Sequence, residues 1–361
     1  MKMENNNAIK AEEVLKNCLE EIPFLEILDI SKEFNQKNVK VDIWVKLKTP
    51  SGYQDLAIEV KNIGEPRVIR ETISRLKTYL DFVPKTYGVI IAPFIFSKSA
   101  AICREAGVGY LDFAGNCFIS FQQIYIAKEG RPKTTQEERI LKSLYYPKAE
   151  RVLRVLLNNP NKVWQTQELA NKAKVSLGMS SKVKKRLDTL GWIKSEAQGF
   201  RLIEWEELLK EWTSKYNFKK SKVYDFYSME SEPLIEQILN DYCKKNSIQF
   251  SLTLFSGAAR VAPYTRINKV FAYVEKNIDQ VQRETKLKPV SSGSNLTLLV
   301  PYDEGIYYGS KDYDNIKVVS PIQLYLDLNS YKGRGEEAAQ FLYDQEIKPQ
   351  WLQNQTIVKE K

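Results

Sequence analysis

Asp42, Glu59 and Lys61 are the residues of this 361-residue chain best placed to do chemistry. Asp42 stands near the start of "KVDIWVKL" and Glu59 near the end of "DLAIEVKN", two strand-like runs separated by the turn "TPSG". Antiparallel pairing in such a hairpin sets the start of one strand beside the end of the other, so the carboxylates converge. Two carboxylates with water and phosphate oxygens are a ligand set that Mg²⁺ accepts. Lys61 lies two positions beyond Glu59, on the same side of an extended strand. An ammonium there can orient a water and offset charge on a scissile phosphate. The wet face of an ordinary strand also reads as alternating Glu and Lys.

The elements that must position these groups follow from the apolar pattern. Residues 1–23 place Ile9, Val14, Leu15, Leu19 and Ile22 at helical spacing before Pro23. Strand-like runs cover Leu25–Phe34, Val39–Lys48 and Asp55–Asn62. A helix then starts at Pro66 and keeps Val68, Ile69, Ile73, Leu76 and Leu80 on one side. Tyr87–Phe94 is a continuous apolar run, as expected of a strand covered on both faces. A helix, a glycine stop and short strands lead to residue 130. In "AGVGYLDFAGN", Asp112 and Asn116 flank Gly115 in what reads as a structural turn.

This order of elements, with Asp42 followed by Glu59-Val60-Lys61, resembles the PD-(D/E)xK nuclease core, although Val41 stands where the motif has its proline. The resemblance implies a restriction-endonuclease-like α/β domain over residues 1–130, with catalytic Asp42, Glu59 and Lys61 and magnesium held by Asp42 and Glu59. The family often adds a glutamate from the first helix, and Glu12 and Glu13 both fit that place. Arg67, Arg70 and Arg75 on the following helix are phosphate-binding candidates or a solvated helix face. The competing reading is a nuclease-derived scaffold used for binding alone, so the enzyme question stays open and magnesium is implied only for an active nuclease.

Composition narrows the rest. There is no histidine, which excludes Ser-His-Asp and Cys-His catalysis and histidine zinc sites. Cys18, Cys103, Cys117 and Cys243 form no CxxC pair and read as buried small hydrophobes. No apolar run is long enough to span a membrane and the start is polar, so the expected location is cytoplasmic. The net charge of +9 is concentrated: residues 131–194 hold fifteen Lys/Arg against five Asp/Glu, so the remainder is near neutral. Such a patch is the electrostatic footprint of a polyanion partner.

The basic stretch has its own pattern. After a polar linker at 131–143, helices are expected at Lys148–Asn158, Gln165–Ala173 and Leu177–Leu190, with Thr166 as N-cap of the second. Two short strands follow, near Trp192–Ser195 and Gly199–Ile203. Helix, turn, helix and hairpin read as a winged helix-turn-helix over residues 144–218 that takes double-stranded DNA. Ser180, Ser181 and Lys182 are the base-edge candidates. Lys184, Lys185 and Arg186, with Lys194 on the wing, are the phosphate candidates. Val183, Leu187 and Leu190 form the core stripe. A three-helix protein-interaction module is the alternative.

Several stretches together resemble the AbiEi-type antitoxins and regulators of type IV (abortive infection) toxin–antitoxin systems. These are "AIEVKN", "ICREAGVGYLDFAGNCFISF", "ERVLRVLL", "WQTQELANKAKVSLGMSSKVKKRLDTLGWI", "EELLKEWTSKY" and, more faintly, "SPIQLYLDL" and "GRGEEAAQFLYD". The resemblance is strongest from about 104 to 216 and weak from 222 to 310. It implies a winged-helix regulator of transcription, often encoded beside a nucleotidyltransferase-like toxin, with antitoxin action in the C-terminal domain.

Residues 222–361 read as an α/β antitoxin-like or interaction domain, in which Phe255–Arg266 and the pair Asp312 and Asp314 are weak candidates. The whole is a multidomain α/β protein without a membrane partner, and a homodimer is compatible with it. Two readings follow. The first is an AbiEi-like DNA-binding regulator and antitoxin. The second is a Mg-dependent PD-(D/E)xK endodeoxyribonuclease targeted by the winged helix.

Overall fold

The computed structural model describes residues 2–36, 39–83, 85–130, 143–264 and 268–352. The linker expected at 131–143 lies outside them, apart from Ser143. Two compact units are present, the first built on residues 1–141 with the short segment 187–191, and the second on residues 142–186 and from 192 onward. Each contains a seven-stranded sheet with helices, so the chain is a mixed α/β multidomain protein.

The first unit opens with helix α1 (Lys2–Glu20) and the strands β1 (Glu26–Gln36), β2 (Val39–Thr49) and β3 (Gly52–Val60). Helix α2 (Pro66–Leu80), β4 (Thr86–Ala92), α3 (Ser97–Glu105), β5 (Gly109–Asp112), β6 (Cys117–Phe121) and β7 (Ile124–Lys128) follow. Sheet order equals chain order. Strands β1 to β3 are antiparallel, β3, β4 and β5 run parallel, and β5 to β7 are antiparallel again. The parallel steps are the ones bridged by α2 and α3, because a parallel neighbour needs a crossover connection.

Both faces of the sheet are covered. Ala11, Leu15 and Leu19 of α1 pack on Ile43, Val45, Leu56, Ile58, Val89 and Ile91. On the other face Ile69, Ile73, Leu76, Ala100 and Cys103 pack on Trp44, Ala57, Ile90 and Ala92. That is why Tyr87–Phe94 carries no polar alternation.

The second unit begins with α4 (Pro147–Leu157), α5 (Thr166–Lys172) and α6 (Leu177–Thr189), then the hairpin β8 (Ile193–Glu196) and β9 (Gly199–Leu202), and α7 (Trp205–Thr213). Gln165, not Thr166, occupies the cap position of α5, and Thr166 is its first helical residue. The remainder builds the second sheet from β10 (Lys222–Tyr227), β11 (Phe250–Leu252), β12 (Val270–Val274), β13 (Lys288–Pro289), β14 (Leu296–Val300), β15 (Lys311–Tyr313) and β16 (Ile316–Val318). Its order is β13-β10-β14-β12-β11-β16-β15, with β12–β14 and β11–β16 parallel. Helices α8 (Glu232–Lys245), α9 (Leu254–Val261), α10 (Ile278–Glu284), α11 (Pro321–Asn329) and α12 (Gly335–Leu342) complete it.

A buried polar network ties α4 to the C-terminal sheet and helices. The Arg154 guanidinium, fully buried, donates to Gln323 Oε1 (2.9 Å) and the Tyr302 hydroxyl (3.1 Å) and stands 3.5 Å from Glu150. Gln323 donates to Tyr216 (2.8 Å) and to Asp327 (2.9 Å). Asp327 also accepts from Tyr216 (2.7 Å), Tyr273 (3.1 Å) and Thr253 (2.5 Å). Beside it Arg151 grips Asp303 with Nε and Nη2 at 2.8 Å each. Every charge in the network has a partner, as burial requires.

Candidate functional site

Two places concentrate the sequence-selected residues. In the first unit, β2 and β3 pair as far as Ile43 opposite Ile58. Asp42 and Glu59 occupy the next step, where the regular ladder stops. The Asp42 carboxylate takes over there: its Oδ2 accepts the Val60 N–H at 2.6 Å. Lys61 therefore lies just past the strand, with its backbone N–H on Ile91 O at 2.8 Å.

The Lys61 ammonium sits between the carboxylates. It is hydrogen-bonded to Glu59 Oε2 and stands 3.8 Å from Asp42 Oδ2. Glu59 is only 4% exposed and shares the same oxygen with Arg75 Nη2 at 2.7 Å. Of the three arginines on α2, Arg75 thus reaches the cluster, while Arg67 is held at the surface by Glu71 (3.1 Å) and Arg70 is exposed. A cavity of about 480 Å³ opens on Asp42, Val60 and Lys61, with Lys32 of β1 and Asn7, Ala8 and Ile9 of α1 on its walls.

The two glutamate candidates separate. Glu12 faces β1 and pairs with Lys16 (2.8 Å) and Lys32 (2.6 Å), and these bonds, that to Lys16 foremost, hold its carboxyl below the usual range. Glu13 is exposed. Neither adds a third carboxylate: among the described residues no group of three His, Cys, Asp or Glu converges as a metal site. The oxygen-only pair Asp42 and Glu59 fits a magnesium ion that keeps most of its water, and Lys61 now occupies the space between the two donors.

The segment at Asp112 is a turn. Its buried carboxylate accepts the Asn116 N–H (2.8 Å), Asn116 Nδ2 (2.8 Å) and the Ile95 N–H (3.3 Å), while Gly115 takes a positive φ of 89°.

In the second unit, Ser176 caps α6 by accepting the Met179 N–H at 3.3 Å. Val183, Leu187 and Leu190 are buried as expected. Ser180 shares that stripe. It is fully buried and donates to Thr166 O of α5 at 3.1 Å, so it is not available to a base edge. Its spacing, three before Val183 and seven before Leu187, was the signal for that inward position. Ser181, Lys182 and Lys185 are exposed, as is Lys194 on β8. Lys184 is half-buried with its ammonium 5.0 Å from the Phe200 ring centre, and Arg186 is half-buried beside Tyr145.

The hairpin is anchored by the pair Trp164 and Phe200, which exchange backbone hydrogen bonds of 2.8 and 3.0 Å. In the C-terminal sheet Asp314 pairs with Arg260 (3.5 Å), Asp312 borders a different cavity, and Arg266 lies outside the described residues.

These features define a two-unit α/β protein with a carboxylate–lysine cluster in one unit and a basic helix and hairpin in the other. Residues 201–348, about two fifths of the chain, match the family described as "Transcriptional regulator, AbiEi antitoxin, Type IV TA system". Over those residues the chain is similar to that family, and the match takes in "EELLKEWTSKY", "SPIQLYLDL" and "GRGEEAAQFLYD". The matched region begins in β9 and runs through the C-terminal sheet, downstream of where the quoted resemblance is densest.

No curated protein matches. Similar solved structures include EndoMS in apo form, with 17% identity over 28% of this chain and 45% of that one at a TM-score of 0.21. A repair endonuclease from Pyrococcus abyssi shows 16% identity over 28% and 46%, and an EndoMS–dsDNA complex 17% over 35% and 46%, both at 0.21. The chain spans less than half the length of these proteins, and at that score the fold rests on the chain's own topology. No helix among the described residues is long and apolar enough to cross a membrane.

Proposed function

We propose that the protein is a DNA-binding transcriptional regulator and antitoxin of a type IV toxin–antitoxin system, acting through a winged helix formed by residues 144–218. The observation that carries this reading is the exposure of Ser181, Lys182 and Lys185 on α6 and of Lys194 on the hairpin, in a chain whose following region matches the AbiEi family. In a winged helix the second helix of the helix-turn-helix enters the major groove and the hairpin follows the backbone. Ser181 and Lys182 then lie nearest the base edges, and Lys185 and Lys194 nearest phosphates. A nucleotidyltransferase-like toxin is the protein partner this reading calls for.

A second reading is favoured by the Asp42, Glu59 and Lys61 cluster. Magnesium, when bound at Asp42 and Glu59, supplies Lewis-acid stabilisation of the phosphate oxygens. Arg75 holds the Glu59 side chain in place, and Lys61 offsets charge on the scissile phosphate from the cavity side.

One experiment separates them. The full-length protein is incubated with plasmid and with its own upstream DNA, with Mg²⁺ or EDTA, beside Glu59→Ala and Lys61→Ala. A footprint on the upstream DNA without cutting supports the regulator. Mg²⁺-dependent cutting that disappears in both variants overturns it in favour of the nuclease. Replacing Lys182, Lys185 and Lys194 by Ala is expected to weaken binding across sequences and reduce the salt slope by about 1 for each lysine that pairs with a phosphate. An unchanged slope refutes this docking surface.

A further inference from the structure

Cys18 and Cys117 are 99 positions apart in sequence, yet their sulfurs lie 3.8 Å from each other. Cys18 is on the last turn of α1, and Cys117 opens β6. Their surroundings differ from those of the other cysteines. Cys103 and Cys243 are each fully buried in apolar packing, where burial pushes their thiols up to about 12. The Cys18/Cys117 pair instead borders a cavity of about 260 Å³ that is also lined by Asn17, Glu21, Asn116 and Lys128. Lys128 is the cross-strand neighbour of Cys117 and is ion-paired with Glu21.

We propose that Cys18 and Cys117 are a redox-active dithiol that a hydroperoxide entering this cavity converts to an intramolecular disulfide between α1 and β6. The sulfurs need to close by less than about 2 Å to reach a covalent S–S bond. Cys117 is the attacking sulfur. The Cys18 S–H points at it, and that hydrogen bond, with the nearby Lys128 charge, lowers its pKa while the Cys18 thiol is raised. Thiolate is the reactive form.

In the first step the Cys117 thiolate attacks a peroxide oxygen, an S–O bond forms, the O–O bond breaks and hydroxide leaves to be protonated to water. In the second, the Cys18 sulfur attacks the sulfenic sulfur of Cys117. The S–S bond forms, the S–O bond breaks, and the departing hydroxide takes the Cys18 proton as water. Two electrons from the thiol pair thus reduce one hydrogen peroxide to two waters.

The bond reaches the cavity at Asp42 and Lys61 through α1. The same helix supplies Asn7, Ala8 and Ile9 to the wall of the cavity at Asp42 and Lys61. A cross-link at its C-terminal end restrains that wall against the sheet.

The test uses the reduced full-length protein, treated natively with graded hydrogen peroxide and then alkylated under denaturing conditions. The expected result is that alkylatable thiols fall from four to two and that the tryptic peptides carrying Cys18 and Cys117 are recovered linked, with dithiothreitol restoring all four. Cys103→Ser and Cys243→Ser are expected to keep the link, and Cys18→Ser or Cys117→Ser to lose it. Four alkylatable thiols after a treatment that oxidises a control dithiol in the same tube would overturn the proposal. So would a link through Cys103 or Cys243, a link between two chains, or over-oxidised Cys117 with Cys18 still a thiol. The wild-type protein alone decides between these outcomes, so a variant that folds poorly does not blunt the test.

Discussion

Asp327 shows how far burial and hydrogen bonding pull in opposite directions on one carboxyl. Burial pushes it up to about 6, against four donors that favour its charged form. Its unfolded value is near 4, so between about pH 4 and 6 the folded protein holds the proton more tightly. The stability this group contributes is therefore present below about pH 4 and lost as pH rises to about 6. Urea unfolding across that range should show wild type losing stability relative to Asp327→Asn, with a flat difference above it. Wild type gaining stability relative to Asp327→Asn as pH rises would mean the donors outweigh burial. At pH 7, Asp327→Ala strands the hydroxyls of Tyr216, Tyr273 and Thr253, and a loss of about 3–5 kcal/mol is expected.

At the scale of elements, the hairpin β8–β9 is fixed by a close backbone approach. Gly199 has no room for a side chain: a Cβ there would overlap the Trp164 carbonyl oxygen. Gly199→Ala should cost about 1–3 kcal/mol and tilt the hairpin that carries Lys194. Thermal melts and DNA affinity check this together, and a variant as stable and as tight as wild type contradicts the anchoring role. The loop after β3 has the same character. A Cβ at Gly64 would overlap the Phe94 carbonyl oxygen, and the Gly64–Ile95 bridge holds the segment following Lys61.

Much of the first unit was legible in sequence because each apolar run has a single period and a clear stop. Helix α2, the buried strand β4 and the hairpin that juxtaposes Asp42 and Glu59 all follow from spacing. The end of β3 did not. Glu59-Val60-Lys61 alternates like a continuing strand, yet the Asp42 side chain takes the Val60 N–H and ends the ladder. Small polar residues misled in the same way. Thr166 read as a helix cap and Ser180 as a base-edge group, whereas the Ser180 hydroxyl meets the Thr166 carbonyl between α5 and α6. The ion pair in "ERVLRVLL" was hidden because Arg154 sits inside an apolar stripe, and its partners lie about 150 and 170 positions downstream. Strand order in the second sheet was beyond reach, since its parallel neighbours are set by long-range packing alone.

On the scale of the whole molecule, the network around Arg154 makes the helical segment and the C-terminal sheet one cooperative body. Removing one partner of a buried ion pair typically costs about 3–5 kcal/mol, and Arg154→Ala is expected to do so. Five of the six tryptophans lie in this second unit. Tryptophan fluorescence should therefore follow its unfolding as one transition that moves down in the variant. A separate earlier transition for residues 144–218 would show that the segment folds on its own.

Trp351 sets the order in which this body is completed. Its ring packs 4.5 Å from that of Trp205, and its indole N–H donates to the Leu157 carbonyl at 3.1 Å, a contact spanning 194 positions. The helix ending at Leu157 leaves the ribosome long before the residue that closes over it. At about 5–20 residues per second that interval is roughly 10–40 s. During it the nascent helices present an unfinished wall to chaperones and proteases. A chain interrupted upstream of Trp351 yields a poorly closed product rather than a stable fragment, so the cell's supply of the finished protein responds quickly to any stall in its translation.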